Sequence, residues 1–449
     1  MTANLPTTVR RLEPVANDIV TEDSAATRFV EMNGPDIRFC HTSKDWFVWQ
    51  GGVWREDQTQ SVFHSIRELA RDLSEDQNGR NRYITNKAAF AAAVERLAKA
   101  DPAVAITIDQ WDSEPMLIGT PGGTVDLLTG LLRPGRREDF ITKATSVTPG
   151  TVPCSRWLSF LAETTGHDQE MIKFLQQWCG YILTGSTREH ALMFVHGPGG
   201  NGKSVFLNIV TRILGAYATT AAMGTFTASR MDKHPTEIAM LKGARLVTAS
   251  ETEEGQSWAE SRIKQMTGGD PLTARFMKQD FFTFTPQFKL MIVGNYTPVL
   301  QNVDDAMRRR FLIVPFERRP AEPDRELEQK LMSEAPSILH WMVEGCLDWQ
   351  RDGLVKPGTV VAATEEYFSD QDLFGHWLDE RCDIDPDVAE SSRPLYASWK
   401  EYALAGSSQP GTTKSFKTKM DRHGFRHVRD RTGSQFHGVK VRPMLVRGQ

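Results

Sequence analysis

The sequence predicts a multidomain α/β protein: an α+β amino-terminal module, a P-loop core with flanking helices, and a basic carboxy-terminal winged helix. Three observations carry that expectation. Strand-length apolar runs alternate with helical periods from about residue 190 to Pro320. A glycine-rich stretch, residues 197–204, joins the first of those runs to a helix. The last segment is far more basic than the rest. The chain has 449 residues, 53 Lys plus Arg against 57 Asp plus Glu, and a formal net charge of −4. At roughly 100 to 200 residues per domain, this length accommodates three domains, each able to bury its own core. Five well-separated cysteines (Cys40, Cys154, Cys179, Cys346, Cys382) with no CxxC pair argue against a zinc ribbon or a disulfide scaffold. No run approaches the roughly 18 apolar residues of a spanning helix, and the start lacks a signal-peptide core, so a soluble cytoplasmic protein without a membrane partner is expected.

Residues 1–25 are polar, with Pro6 and Pro14, and are expected to form a loose arm. Residues 26–150 read as an α+β module. DWFVWQGGVWRED places aromatic alternation around Gly51-Gly52, a helical period follows through Val62, Ile66, Leu69 and Leu73, and MLIGTPGGTVDLLTGLLRP breaks into short strands. Residues 151–355 open with a helical collar (Trp157, Phe160, Leu161; Ile172, Leu175, Trp178, Ile182) and continue into the α/β core. Residues 356–390 read as linker helices, and 391–449 as the winged helix.

The core begins with the apolar run LMFV, followed by Gly197, Pro198, Gly199, Gly200, Asn201 and Gly202, then Lys203, Ser204 and Val205 at the head of a helix. Strand, glycine loop and helix in this order make a phosphate cradle. Glycines turn backbone N–H groups inward, the helix N-terminus faces the anion, Lys203 reaches the β- and γ-phosphates of ATP, and the Ser204 hydroxyl coordinates Mg²⁺. The next apolar run, ARLVTASE, ends at Glu251, where a carboxylate polarises the attacking water or holds the metal; Ser250 stands where many such ATPases carry a metal-linked Asp. A third run, FKLMIVGN, ends at Asn295, whose amide is suited to hold the lytic water or contact the γ-phosphate. DDAMRRRF then offers Arg308, Arg309 and Arg310, of which one or two reach a neighbouring subunit's γ-phosphate or else form a solvated cluster paired with Asp304 and Asp305.

GPGGNGKS, ASETEEG, IKQMTGGDPLTARFMKQDFFTF, KLMIVGN and DDAMRRRFLIVPF together resemble superfamily 3 helicases. They are most similar to the helicase half of phage and plasmid primase-helicases, related to the poxviral one. WFVWQGGVWRED and GTPGGTVDLLTGLLRP extend the likeness upstream. The resemblance implies an AAA+-like ATPase ring, a hexamer, that moves 3′ to 5′ along single-stranded and forked DNA in a bacterial cytoplasm, as part of a phage, plasmid or integrated element. It also implies that Arg309 or Arg310 completes the neighbour's site. It makes LTARFM and FFTFTP a β-hairpin whose Lys278 meets a phosphate in the ring channel, supported by Arg275 or Phe276.

In the last segment two helices precede a hairpin. Residues 414–447 hold about ten Lys plus Arg against Asp421 and Asp430, a local charge of about +8. Lys414, Lys417, Arg422, Arg426, Arg429 and Arg431 fall on the second helix and the wing, so this domain is expected to bind DNA. No paired-aspartate motif with a nearby Ser-x-His precedes residue 190, so priming is assigned to a separate primase or primase-polymerase. Two competing functions stay open: an ATP-switched origin initiator that melts DNA without processive unwinding, and a P-loop kinase acting on a small molecule.

Overall fold

The apolar runs of the core assemble into a five-stranded sheet, and every pairing in it is parallel. Its strands are β1 (Leu192–His196), β2 (Ala218–Thr220), β3 (Leu246–Ser250), β4 (Lys289–Gly294) and β5 (Phe311–Pro315), in the order β5-β1-β4-β3-β2. Nearly every residue of β1, β3, β4 and β5 is buried, which is why they read as continuous apolar runs without alternation. The computed structural model describes residues 20–75, 77–228, 236–250, 256–277, 280–300, 304–320, 322–406, 409–430 and 433–442. By its contacts the chain divides into two compact units: residues up to Pro298 with Arg309–Val360, and Val299–Arg308 with Val361–Gln449.

Within the first unit, the start of the chain forms a small core of its own. Helix Glu22–Asn33, capped by the Thr21 side chain on the Ser24 N–H, begins inside the stretch expected to be a loose arm. The aromatic alternation forms a hairpin, Asp45–Gln50 with Val53–Glu56, turning on Gly51 and Gly52, both at positive φ. Strands Ile37–Cys40 and Ala105–Ile106 complete a four-stranded sheet, and Phe29, Phe39, Trp46, Ile66 and Phe90 fill the space between it and its helices.

The boundary expected at residue 150 moves. Strands Leu117–Thr120, Gly123–Asp126 and Leu131–Arg133 form a separate sheet whose Ile118, Val125 and Leu127 share one apolar cluster with Trp157, Trp178 and Met193. Buried polar contacts reinforce the join. The Gly119 N–H donates to the Tyr217 hydroxyl at 2.9 Å, and the Arg245 guanidinium donates to the carbonyls of Pro115 at 2.5 Å and Leu117 at 3.2 Å.

The collar helix Gln169–Leu183 packs on Ala335–Asp352, the helix that follows the sheet. Their backbones meet at two glycines: a Cβ on Gly180 would collide with the Cys346 backbone nitrogen, and one on Gly345 with the Gln176 carbonyl. Gln176 donates to the Trp341 carbonyl at 3.0 Å alongside. Gly180→Ala therefore forces the helices apart and costs about 1 to 3 kcal/mol; a thermal melt superimposable on that of the parent protein would refute this.

In the second unit, Phe374, Trp377, Leu395, Trp399, Phe416, Met420 and Phe436 form one core. Helix Leu373–Arg381, expected as a linker, thus belongs to the carboxy-terminal domain, because its Phe374 and Trp377 faces need that cover. Helices Ser392–Ala405 and Thr413–Arg422 follow, and then the antiparallel hairpin Arg426–Asp430 with Gly433–His437, to which Ala389–Ser391 adds a third strand.

Candidate functional site

The sheet register sets the site. His196 at the end of β1 lies opposite Gly294 of β4, and Val293 lies opposite Ser250 of β3, so three strands end in a row at one edge. Ligands of open parallel α/β sheets bind at that carboxyl edge. There the chain leaves β1, turns through residues 197–202, and enters helix Lys203–Leu214 with Gly202 as its N-cap. Gly197 has φ 152° and Gly202 has φ 85°. A Cβ at Gly197 would collide with the Phe316 carbonyl, and one at Gly202 would lie 2.7 Å from Thr164 Cγ2. Both positions therefore require glycine on conformation and on space.

Lys203 is the first residue of the helix and only 5% exposed. Its ammonium donates to the carbonyls of Gly197 at 2.6 Å and Pro198 at 3.1 Å, and to Asn201 Oδ1 at 2.9 Å. The buried Asn201 side chain in turn donates to the Phe316 carbonyl. Burial, and secondarily the charge of Arg319, lower the Lys203 pKa. Burial also lowers that of His196, against a hydrogen bond from its ring to the Asn295 backbone, which raises it.

A cleft of about 610 Å³ opens over the loop. It brings together Gly199, Gly200, Asn201, Gly202, Lys203, Ser204, Val205 and Asn295, with Ser250 beside them. Gly197 and Pro198 contribute carbonyls to Lys203 from beneath. Glu251, Lys278 and Arg431 lie outside the described residues. Arg309 is exposed. Arg310 does not suit the bridging role expected of it: it is 8% exposed, and its Nε donates to Thr267 Oγ1 at 3.1 Å inside its own fold.

The predicted hairpin is present as Leu272–Ala274 paired antiparallel with Phe282–Phe284. Near its turn the Arg275 guanidinium lies 4.7 Å from the Phe281 ring and Phe276 stacks on Phe282, while Phe276, Met277 and Phe281 are exposed. In the second unit Lys414, Lys417, Arg422, Arg426 and Arg429 are all exposed, opposite the buried Phe416 and Met420.

Several cleft residues carried no local sequence signal. Phe160, Glu163 and Thr164 come from helix Ser155–Thr165, and Arg318, Pro320, Pro323, Asp324 and Leu327 from the segment after β5. Of these only Arg318 had a usable cue, being one of two adjacent cations just beyond a buried strand. Among the described residues no cluster of His, Cys, Asp or Glu could hold a metal ion unaided, and no helix is long and apolar enough to cross a membrane.

The fold and the cleft define a mixed α/β multidomain protein with a ligand crevice at the carboxyl edge of a parallel sheet. The "D5 N terminal like" family matches residues 26–166, and the "Family of unknown function (DUF5906)" matches residues 195–310. "Putative helicase 022R" of Frog virus 3 is 24% identical over 290 residues, covering 60% of this chain and 30% of that protein. "Putative helicase L207/L206" of Acanthamoeba polyphaga mimivirus is 25% identical over 293 residues, with the same coverage. "Putative primase C962R" of African swine fever virus is 26% identical over 254 residues, covering 49% of this chain and 26% of that protein. The chain thus spans about 30% of the length of the curated relatives it matches first. Among solved structures, the apo NrS-1 C-terminal region superposes with a TM-score of 0.52 at 12% identity, covering 93% of this chain and 99% of that one. The two family matches and the viral relatives, named as putative helicases and primases, are consistent with the poxviral-type primase-helicase family.

Proposed function

We propose that the chain is an ATP- and Mg²⁺-dependent replicative DNA helicase of superfamily 3, with an AAA+-like P-loop core acting in a ring, a hexamer, of a mobile element or virus. The observation that carries this reading is the convergence of the glycine loop, Lys203, Ser204 and Asn295 on one cleft at the strand ends. Loop N–H groups and the helix N-terminus bind the nucleotide phosphates, and the Lys203 ammonium neutralises them. The Ser204 hydroxyl, exposed in the cleft, is a hard oxygen donor that fits Mg²⁺ bound jointly with phosphate, and the ion would spread the charge of the transferred group. Glu251 directly follows Ser250 in sequence and activates water, and Asn295 senses the γ-phosphate. Arg309, the exposed one of the two candidate arginines, completes the neighbour's site, a contribution of roughly 10³ to 10⁵ in rate.

The hairpin supplies the moving DNA contact through Lys278, with Arg275 and Phe276 beside it; stacking and phosphate contacts of this kind hold single strands without reading sequence. The helix pair and hairpin of the second unit act as a winged helix on duplex DNA. Movement 3′ to 5′, and a separate primase or primase-polymerase partner, complete the proposal. A forked-duplex assay tests it. The wild-type chain displaces the strand processively with ATP, and Glu251→Gln binds ATP and DNA but displaces nothing. Footprints without displacement by the wild type would instead indicate an initiator, and full displacement by Glu251→Gln would remove that residue from the chemistry.

A further inference from the structure

The cleft has a second cationic wall that the loop motif does not account for. The Phe316 N–H donates to the His196 carbonyl at 2.7 Å, and the Phe316 carbonyl accepts from Asn201, so the chain leaving β5 runs beside the glycine loop. Arg318 and Arg319 come next. Arg318 lines the cleft, with its guanidinium over Gly166 at the end of helix Ser155–Thr165; a Cβ built there would lie 3.0 Å from Nε. Arg319 is near enough to act electrostatically on Lys203. Both side chains are exposed, and neither forms an ion pair among the described residues.

Asp324 lines the same cleft but is already engaged by Lys330 at 2.9 Å and Arg156 at 3.1 Å, so it does not neutralise the pair. Glu163, exposed at the rim, is the other carboxylate lining the cleft among the described residues. Lys203 and Arg318 therefore line one cavity, Arg319 acts on it from close by, and among the described residues Glu163 is the one lining carboxylate without a cationic partner. That imbalance suits a polyanion, and guanidinium groups match phosphate geometry.

We infer that Arg318 and Arg319 bind the polyphosphate of the nucleotide within the same chain as Lys203, from the segment that runs beside the glycine loop. This deepens the reading of the cleft as a nucleotide site and rests on it. The pair selects triphosphate over diphosphate, because the added γ-phosphate brings the charge that a second and third cationic contact would meet.

The test uses the full chain with fluorescent mant-ATP and mant-ADP. The wild type binds both. Arg318→Ala/Arg319→Ala loses roughly 10- to 100-fold in mant-ATP affinity, from one or two charge-assisted contacts, and less for mant-ADP. Arg318→Lys/Arg319→Lys recovers part of the mant-ATP loss, and the melting temperature of the alanine variant stays that of the parent. A wild type that binds mant-ATP with a double-alanine variant of equal affinity and unchanged ATP-to-ADP ratio overturns this inference and leaves the nucleotide site standing. A wild type that binds neither probe overturns both. Equal losses for the two nucleotides together with a lowered melting temperature would make the pair a brace for the Ser155–Thr165 helix and also overturn the inference.

Discussion

On the proposed ATPase function, Lys203→Ala hydrolyses ATP roughly 10² to 10³ times more slowly than the parent chain, the usual loss when one preorganised donor to a developing anion is removed. The physical basis is the state of that ammonium. It is buried, its three acceptors are neutral loop groups, and burial together with Arg319 disfavours its charged form. A phosphate entering the cleft supplies the counter-charge that the fold withholds, so much of the attraction is realised only with an anion in place. The substitution also frees the Gly197 and Pro198 carbonyls, and Lys203→Met, which keeps most of the volume, controls for loop collapse. Steady-state hydrolysis and mant-ATP titration are the measurements. Turnover in either variant equal to that of the parent would end the assignment of Lys203.

Arg245→Ala has the largest expected effect on stability, a loss of about 3 kcal/mol or more. Arg245 is 1% exposed, and its guanidinium reaches four carbonyls, those of Glu114, Pro115, Leu117 and Leu183. Its backbone N–H donates to the Tyr217 carbonyl at 2.8 Å, directly before β3. Alanine leaves those acceptors buried without a donor and opens a cavity, and both effects act in the same direction. Arg245→Lys falls between, since an ammonium on a shorter reach cannot span the same fork. Urea titration followed by tryptophan fluorescence measures the loss; an unchanged midpoint for Arg245→Ala would show that water replaces the guanidinium at no cost.

The local parts of this molecule were legible because their signals are local. The loop at residues 197–204, the strands behind LMFV, LVTAS and KLMIVG, and the pairing of Leu272–Ala274 with Phe282–Phe284 each depend on a few consecutive residues. What was not legible depends on partners distant in sequence. Ala218–Thr220 is too short and too polar to stand out, and becomes a strand only by pairing with β3. The Leu117–Arg133 stretch looked like part of the first module, yet its apolar face is completed by helices that come later in the chain. Arg310 looked equivalent to Arg309 in an arginine triplet; the turn into β5 sends one inward and leaves the other outside. Asp324 and Leu327 enter the cleft only because the chain after β5 returns past the glycine loop.

The glycine-to-glycine contact between the two collar helices also bears on synthesis. Gln176 and Trp341 are 165 residues apart, and the whole parallel sheet is encoded between them. At roughly 5 to 20 residues per second, the earlier helix leaves the ribosome about ten to thirty seconds before its partner exists. During that interval the surface that will hold Phe174, Trp178 and Ile182 has no cover from Ala335–Asp352. The sheet is thus built on a half-finished support. A nascent chain stalled before residue 335 presents this apolar helix to chaperones, and one stalled after residue 352 can close it off.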